Sequence, residues 1–294
     1  MFPGIHAIAY AHFRDDETLD RAAMRRQTEV CLASGVDGMA ALGLATEVSK
    51  LREGERRDIM DWTAEDVGRR VPVAFTICGN SVAEQVAQIR HAEGVNADWV
   101  ILQPPNVGNY AGLEYIRFFG RVADKTTLPV AIQNAPAYMG RGLTPEEIRD
   151  LVTQHPNVRL LKGEGSVVDI KRVIEATEGR LPVLNGRGGL ELTDNYRAGC
   201  VGMILAPDTI DKQVAIWRAM REGHPEEAEM LYEKVLPTIL FIMQSIESLI
   251  CYGKRVFGAR IDLPIHDRTP ALRPTPLGLE LVAAHARRLG PFPE

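Results

Sequence analysis

Eight short apolar runs recur along the chain: GIHAIAY (4–10), GVDGMAALG (35–43), VPVAFTI (71–77), ADWVILQ (97–103), LPVAIQN (128–134), VRLLKG (158–163), LPVLNG (181–186) and GCVGMIL (199–205). Their lengths and β-branched content predict buried strands. Between them lie stretches with apolar residues at helical spacing, such as LDRAAMRRQTEVCLAS, VAEQVAQIRHAEG and TPEEIRDLVTQHP. Strand–helix alternation repeated this often predicts parallel βαβ units. A weak internal repeat agrees: [VL]-P-V opens the runs at residues 71, 128 and 181, about two βα units apart each time. Proline is tolerated at the first residues of a strand, where only a terminal ladder bond is lost.

Eight such units could form an open doubly wound sheet or a closed barrel. No G-x-G-x-x-G follows the first run, and only helical pattern follows the eighth. The expectation is therefore a (β/α)8 TIM barrel. After residue 207 the pieces KQVAIWRAMREG, PEEAEMLYEKVLPTILFIMQSIESLICYGKRVFG and PTPLGLELVAAHARRLG read as helices. Closing an eighth unit requires the first alone. The expected organisation is a barrel over 1–220 and a C-terminal helical extension over 221–294.

Composition narrows the function classes. The chain has 294 residues, 45% hydrophobic and 25% charged, enough for a large core. Its net charge is -5 with no basic block, which argues against nucleic acid. Cys31, Cys78, Cys200 and Cys251 show no C-x-x-C spacing, so buried free thiols are expected rather than zinc ligands or disulfides. No signal peptide and no membrane span is expected, because no apolar run approaches 18 residues. The expected location is cytoplasmic. No metal and no cofactor is assigned. Glu53, Glu55, Arg56, Arg57 and Asp58 read as a solvated helix face, and Phe118, Phe119 and Trp217 as core.

In a barrel, catalytic side chains come from the carboxyl ends of strands. Of the seven lysines, six lie in polar or helical contexts, and Lys162 stands at the end of an apolar strand. An ammonium there loses hydration, which favours the neutral amine, and a neutral amine attacks a ketone to form an iminium. Glu164, two residues on, shares its face if the strand persists and could move protons, or simply pair with the lysine. The seventh run ends Asn185-Gly186-Arg187-Gly188-Gly189, which could offer backbone N–H groups and a guanidinium to a carboxylate or phosphate. Gly43-Leu44-Ala45-Thr46 could offer amides and a hydroxyl; equally it could be a plain strand-to-helix turn.

The order of these strand-end motifs resembles the dihydrodipicolinate synthase/N-acetylneuraminate lyase superfamily over about residues 4–290. The signatures G-x-x-G-E, Y-N-x-P and G-[IV]-K-[DE] read here as Gly43-Leu44-Ala45-Thr46-Glu47, Gln133-Asn134-Ala135-Pro136 and Leu160-Leu161-Lys162-Gly163-Glu164. The resemblance implies that Lys162 is the Schiff-base lysine, with backbone at Ala45 and Thr46 holding the substrate's C1 carboxylate. It also implies a homotetramer and a 2-oxo acid as the small-molecule substrate; the tyrosine that a neighbouring subunit contributes in the family is missing at its usual place here, and the nearest phenol in that loop is Tyr110.

The departures matter as much. The family's catalytic tyrosine falls at Gln133, which can hydrogen-bond but cannot transfer a proton as a phenol does. Its paired threonines fall at Leu44 and Ala45. The arginine used for a second substrate's carboxylate falls at Tyr138. Q-[DN]-A-P with K-x-E, and the tail LICYGKRVFGARIDLP, resemble the branch containing L-2-keto-3-deoxyarabonate dehydratase. That implies dehydration of a 2-keto-3-deoxy sugar acid, with Lys162, Glu164 and Gln133 as catalytic residues. Ala45, Thr46, Asn185, Gly186, Arg187 and Tyr138 would bind substrate. The alternatives are a pyruvate-dependent aldolase, including a dihydrodipicolinate synthase-like one, a deaminating lyase on a cyclic imino acid, and a non-catalytic 2-oxo-acid-binding protein.

Overall fold

A computed structural model describes residues 2–293. Eight parallel strands occupy the eight apolar runs: β1 (Gly4–Ile8), β2 (Gly38–Ala41), β3 (Val73–Ile77), β4 (Trp99–Leu102), β5 (Val130–Asn134), β6 (Val158–Gly163), β7 (Val183–Asn185) and β8 (Gly202–Leu205). Pairing runs in sequence order and closes, with Gly4 opposite Gly202 and Ala7 opposite Leu205. This closure decides for the barrel over the open sheet.

Each [VL]-P-V repeat opens two residues before the strand it announces. Pro72, Pro129 and Pro182 precede the first residues Val73, Val130 and Val183. Their carbonyls still accept from Met39, Val100 and Leu161, so proline's missing N–H costs no internal ladder bond.

The helices are α1 (Arg21–Ala33), α2 (Glu53–Val67), α3 (Val82–Gly94), α4 (Gly112–Ala123), the single turn α5 (Pro136–Met139), α6 (Pro145–Gln154), α7 (Val167–Ala176), α8 (Leu192–Ala198) and α9 (Ile210–Arg221). Several start on side-chain caps: Asp20, Ser81, Thr144 and Ser166 each accept a first-turn backbone N–H. Phe119 and Trp217 are buried, as their spacing predicts.

Three more helices follow: α10 (Pro225–Ile242), α11 (Ile246–Ile261), which contains a π turn over Leu249–Gly253, and α12 (Pro276–Leu289). The chain turns by 105° between α10 and α11, and among the described residues no single helix is long and apolar enough to cross a membrane. The π turn carries Gly253 against the barrel, where a Cβ would lie 2.7 Å from the Tyr10 hydroxyl. From there α11 reaches over the carboxyl ends of the strands.

Candidate active site

Lys162 projects into the barrel from β6, opposite Gln133 of β5 and Leu184 of β7, and is only 2% exposed. The strand ladder continues one step beyond β6, because Glu164 N–H donates to Asn134 O. Glu164 therefore keeps the parity of Lys162, and its Oε1 receives Lys162 Nζ at 2.5 Å. Its other oxygen, Oε2, accepts the backbone N–H of Arg187 at 3.1 Å. Gly186 makes that approach possible: a Cβ there would lie 2.4 Å from Glu164 Oε2. Glycine is thus required at 186 by the carboxylate.

Gln133 is buried and donates from Nε2 to Glu164 Oε1 at 3.3 Å. Its own Oε1 accepts from Gln103 Nε2 at 3.0 Å. A buried cluster of one amine, one carboxylate and two amides results. Lysine, when neutral, is the nucleophile in such a set, the carboxylate is the proton carrier, and the amides set direction.

The other residues assigned from sequence divide in two. Ala45 is buried in the turn after β2 and its N–H has no partner among the described residues. That N–H is free to donate. Thr46 is not: its hydroxyl donates to Ala9 O at 2.5 Å and its N–H to Gly43 O at 3.1 Å. This corrects the expectation that the hydroxyl faces a substrate. Asn185 likewise spends its Nδ2 on Gly165 O and Asn195 Oδ1, tying β7 to the loop after β6 and to helix α8. Arg187 turns its guanidinium to Glu191 at 2.7 Å, and its backbone N–H already serves Glu164. The Gly-rich loop is a frame for Glu164. Tyr138, on α5, is half-buried beside Glu164 and Arg187; burial pushes its phenol up from the usual range, Glu164 adds to this, and Arg187 opposes it.

A cavity of about 1120 Å³ adjoins this cluster at Gln103 and is lined besides by Asn106, Tyr138, Arg141, Gln244 and Ser245, among others. Its wall is built from strand-end loops on one side and from α11 and the 267–272 segment on the other. Cys78 lines it too and is only partly buried, while Cys31, Cys200 and Cys251 are buried, all four as free thiols.

Several features went unread in the sequence. Gln103 ends its run as an ordinary polar residue, and nothing local marks its bond to Gln133. Lys254 falls in a helical context, yet is fully buried and donates to Glu47 at 2.5 Å and Ala11 O at 2.8 Å. So Lys162 is not alone among the lysines in losing water. Glu55 departs from the solvated face assigned to it: it is buried and held by both guanidinium nitrogens of Arg268, at 2.7 and 3.0 Å.

Comparison with known proteins bears on the family and the fold. The profile of the dihydrodipicolinate synthetase family matches residues 1–266. The chain is 29% identical over 268 residues to the Escherichia coli K12 protein named "Probable 2-dehydro-3-deoxy-D-pentonate aldolase YjhH", covering 89% of each chain. It is 28% identical over 244 residues to the 4-hydroxy-tetrahydrodipicolinate synthase of Methanosphaerula palustris, covering 81% of this chain and 82% of that one. Among solved structures it superposes on E. coli K12 YagE, a prophage protein of the dihydrodipicolinic acid synthase family crystallised with pyruvate. The TM-score is 0.91 at 25% identity, over 98% of this chain and 99% of YagE. The chain is a lyase and belongs to the dihydrodipicolinate synthetase family.

Proposed function

We propose that the protein is a Schiff-base lyase of 2-keto-3-deoxy sugar acids and that it dehydrates them. The observation that carries this reading is the pairing of Lys162 with Glu164 at 2.5 Å in a barrel whose strand β5 offers Gln133 and no phenol at that position.

Neutral Lys162 attacks the C2 ketone, and the carbinolamine loses water to give an iminium. The C1 carboxylate lies against the free N–H of Ala45. Glu164 takes a C3 proton, and the electron pair moves to nitrogen as the enamine. Glu164, now protonated, returns a proton to the C4 oxygen as the C4–O bond breaks. Water leaves and a conjugated iminium remains. Hydrolysis frees Lys162 and an unsaturated 2-oxo acid, which tautomerises to a semialdehyde when C5 is a terminal CH2OH and to a second ketone when the chain continues to C6. One carboxyl group performs both transfers, so no tyrosine is needed.

Aldol cleavage has the opposite demand, since the C4 hydroxyl must lose its proton while C3–C4 breaks. That second reading is favoured by the aldolase name of YjhH. The polar rim formed by Asn106, Arg141, Gln244 and Ser245 suits a hydroxylated tail under either reading. A homotetramer is part of the proposal: Val107, Tyr110 and Leu113 after β4 are exposed apolar residues that a second copy would cover.

The test is product analysis on a panel of 2-keto-3-deoxy pentonates and hexonates. Dehydration yields a product lighter by one water with every carbon retained. Release of pyruvate and an aldehyde would replace this reading with the aldolase, and no turnover of any C4-hydroxylated acid would end both.

A further inference from the structure

We infer that Gln103 is a positioning residue of this site, acting through Gln133 to hold Glu164 in register for proton transfer at C3; the inference rests on the Schiff-base reading above. Residues 103, 133 and 162 form a row across three neighbouring strands: β4 pairs with β5 at Leu102 and Ile132, and β5 with β6 at Gln133 and Lys162. The row ends on Glu164, and its hydrogen bonds all point one way. Gln103 Nε2 donates to Gln133 Oε1 at 3.0 Å, and Gln133 Nε2 donates to Glu164 Oε1 at 3.3 Å.

The chemistry dictates this polarity. An ionised carboxylate only accepts, so Gln133 must turn its NH2 toward Glu164. Its carbonyl then faces Gln103, which has to donate. Gln103 can do so because its backbone is fixed: its N–H donates to Ile77 O at 2.9 Å, and its carbonyl accepts Gln85 Nε2 at 2.9 Å. Gln85 is fully buried on α3 and also holds Gly79 O. Gln103 is thus set from behind by one strand and one helix, and its amide is the first link of a polarised chain ending on the carboxylate. Without that link, Gln133 is free to turn its carbonyl toward Glu164 and repel it. Gln103 Oε1 has no protein partner among the described residues, and the side chain lines the cavity, so solvent or a substrate hydroxyl completes it.

The experiment uses pyruvate as the probe, because its methyl group exchanges hydrogen for deuterium only when a base removes a proton from the iminium. Exchange in D2O is followed by proton NMR for the full-length wild type, Gln103→Leu, Gln133→Leu and the double variant, with borohydride trapping at Lys162 in parallel. Each single change is expected to slow exchange about tenfold while trapping persists, the scale of one lost hydrogen bond to a reacting group. The double variant is expected to be no slower than the worse single one, because both act on one contact. Additive losses would mean that Gln103 does not act through Gln133, and wild-type exchange in Gln103→Leu would mean that it does not act at all; either overturns the inference. Gln103→Glu keeps the shape but presents an acceptor to Gln133, so it should lose as much as Gln103→Leu; it carries the test if the leucine variant does not fold, and full activity in it also overturns the inference. Failure of the wild type to trap pyruvate would overturn the Schiff-base reading itself, a result distinct from wild-type trapping and exchange that ignore residue 103.

Discussion

At the scale of single residues, the chain buries two lysines in different company. Lys254 is enclosed by Glu47, the Ala11 carbonyl and the faces of Tyr10 and Phe13, at 5.9 and 5.3 Å from the ring centroids. Burial lowers its pKa, against the pull of Glu47. Lys162 has Glu164 as its hydrogen-bond partner, in a cluster whose Gln103 lines an open cavity. If Glu164 carries protons at C3, Glu164→Gln should still form the reduced pyruvate adduct yet lose turnover by roughly 10²–10⁴-fold, the span of a general acid–base group. Turnover close to wild type would remove Glu164 from the mechanism. Lys162 was legible because a lysine ending an apolar strand breaks a local pattern. Lys254 was not, because an amphipathic helix normally carries lysine on its wet face, and only the fold reveals that α11 turns this face onto the barrel. Gln103 was illegible for a similar reason: its partner lies on the next strand.

At the scale of elements, the eight runs placed all eight strands, and the errors were confined to ends. Strands β3, β5 and β7 begin after the proline that the pattern had included. What the sequence could not convey was the task of the C-terminal helices. Tyr232 of α10 accepts Glu191 N–H at 2.7 Å and donates to Gly189 O at 3.2 Å, while Gln213 of α9 holds Gly188 O at 2.8 Å. The loop that presents Arg187 N–H to Glu164 is therefore pinned from outside the barrel. Helix α11 grips the opposite rim, where Lys254 and Lys50 share the two oxygens of Glu47 directly after the Ala45 turn. Removing Lys254 takes the partner of Glu47 Oε1 and leaves Oε2 with Lys50. Lys254→Met is expected to lower stability, by less than the roughly 3–5 kcal/mol of a buried charge left with no partner, read from urea midpoints. Adding Glu47→Gln should restore part of the loss; a double variant less stable than Lys254→Met would contradict a paired role.

At the scale of the whole molecule, folding buries two histidines, His6 on β1 and His12 just beyond it, and both resist protonation. Burial depresses His6 to about 4 and His12 to about 3, from an ordinary 6.5. Below pH 6.5 the unfolded chain binds these protons and the folded one does not, so stability falls as the pH drops toward 4. Asp208, buried and raised from 3.8 to about 6, works the other way between those values, because its folded form takes up a proton first. At about 1.4 kcal/mol per unit, the two histidines outweigh it, for a net loss of about 4 kcal/mol by pH 4. A urea midpoint unchanged between pH 7 and pH 4 would contradict this balance. Whether Lys162 forms the Schiff base is read by incubating the protein with pyruvate and sodium borohydride, then locating the mass change by peptide mapping. One reduced pyruvate adduct is expected, on Lys162, and none in Lys162→Ala. No adduct, or an adduct on any other lysine, would contradict the Schiff-base reading.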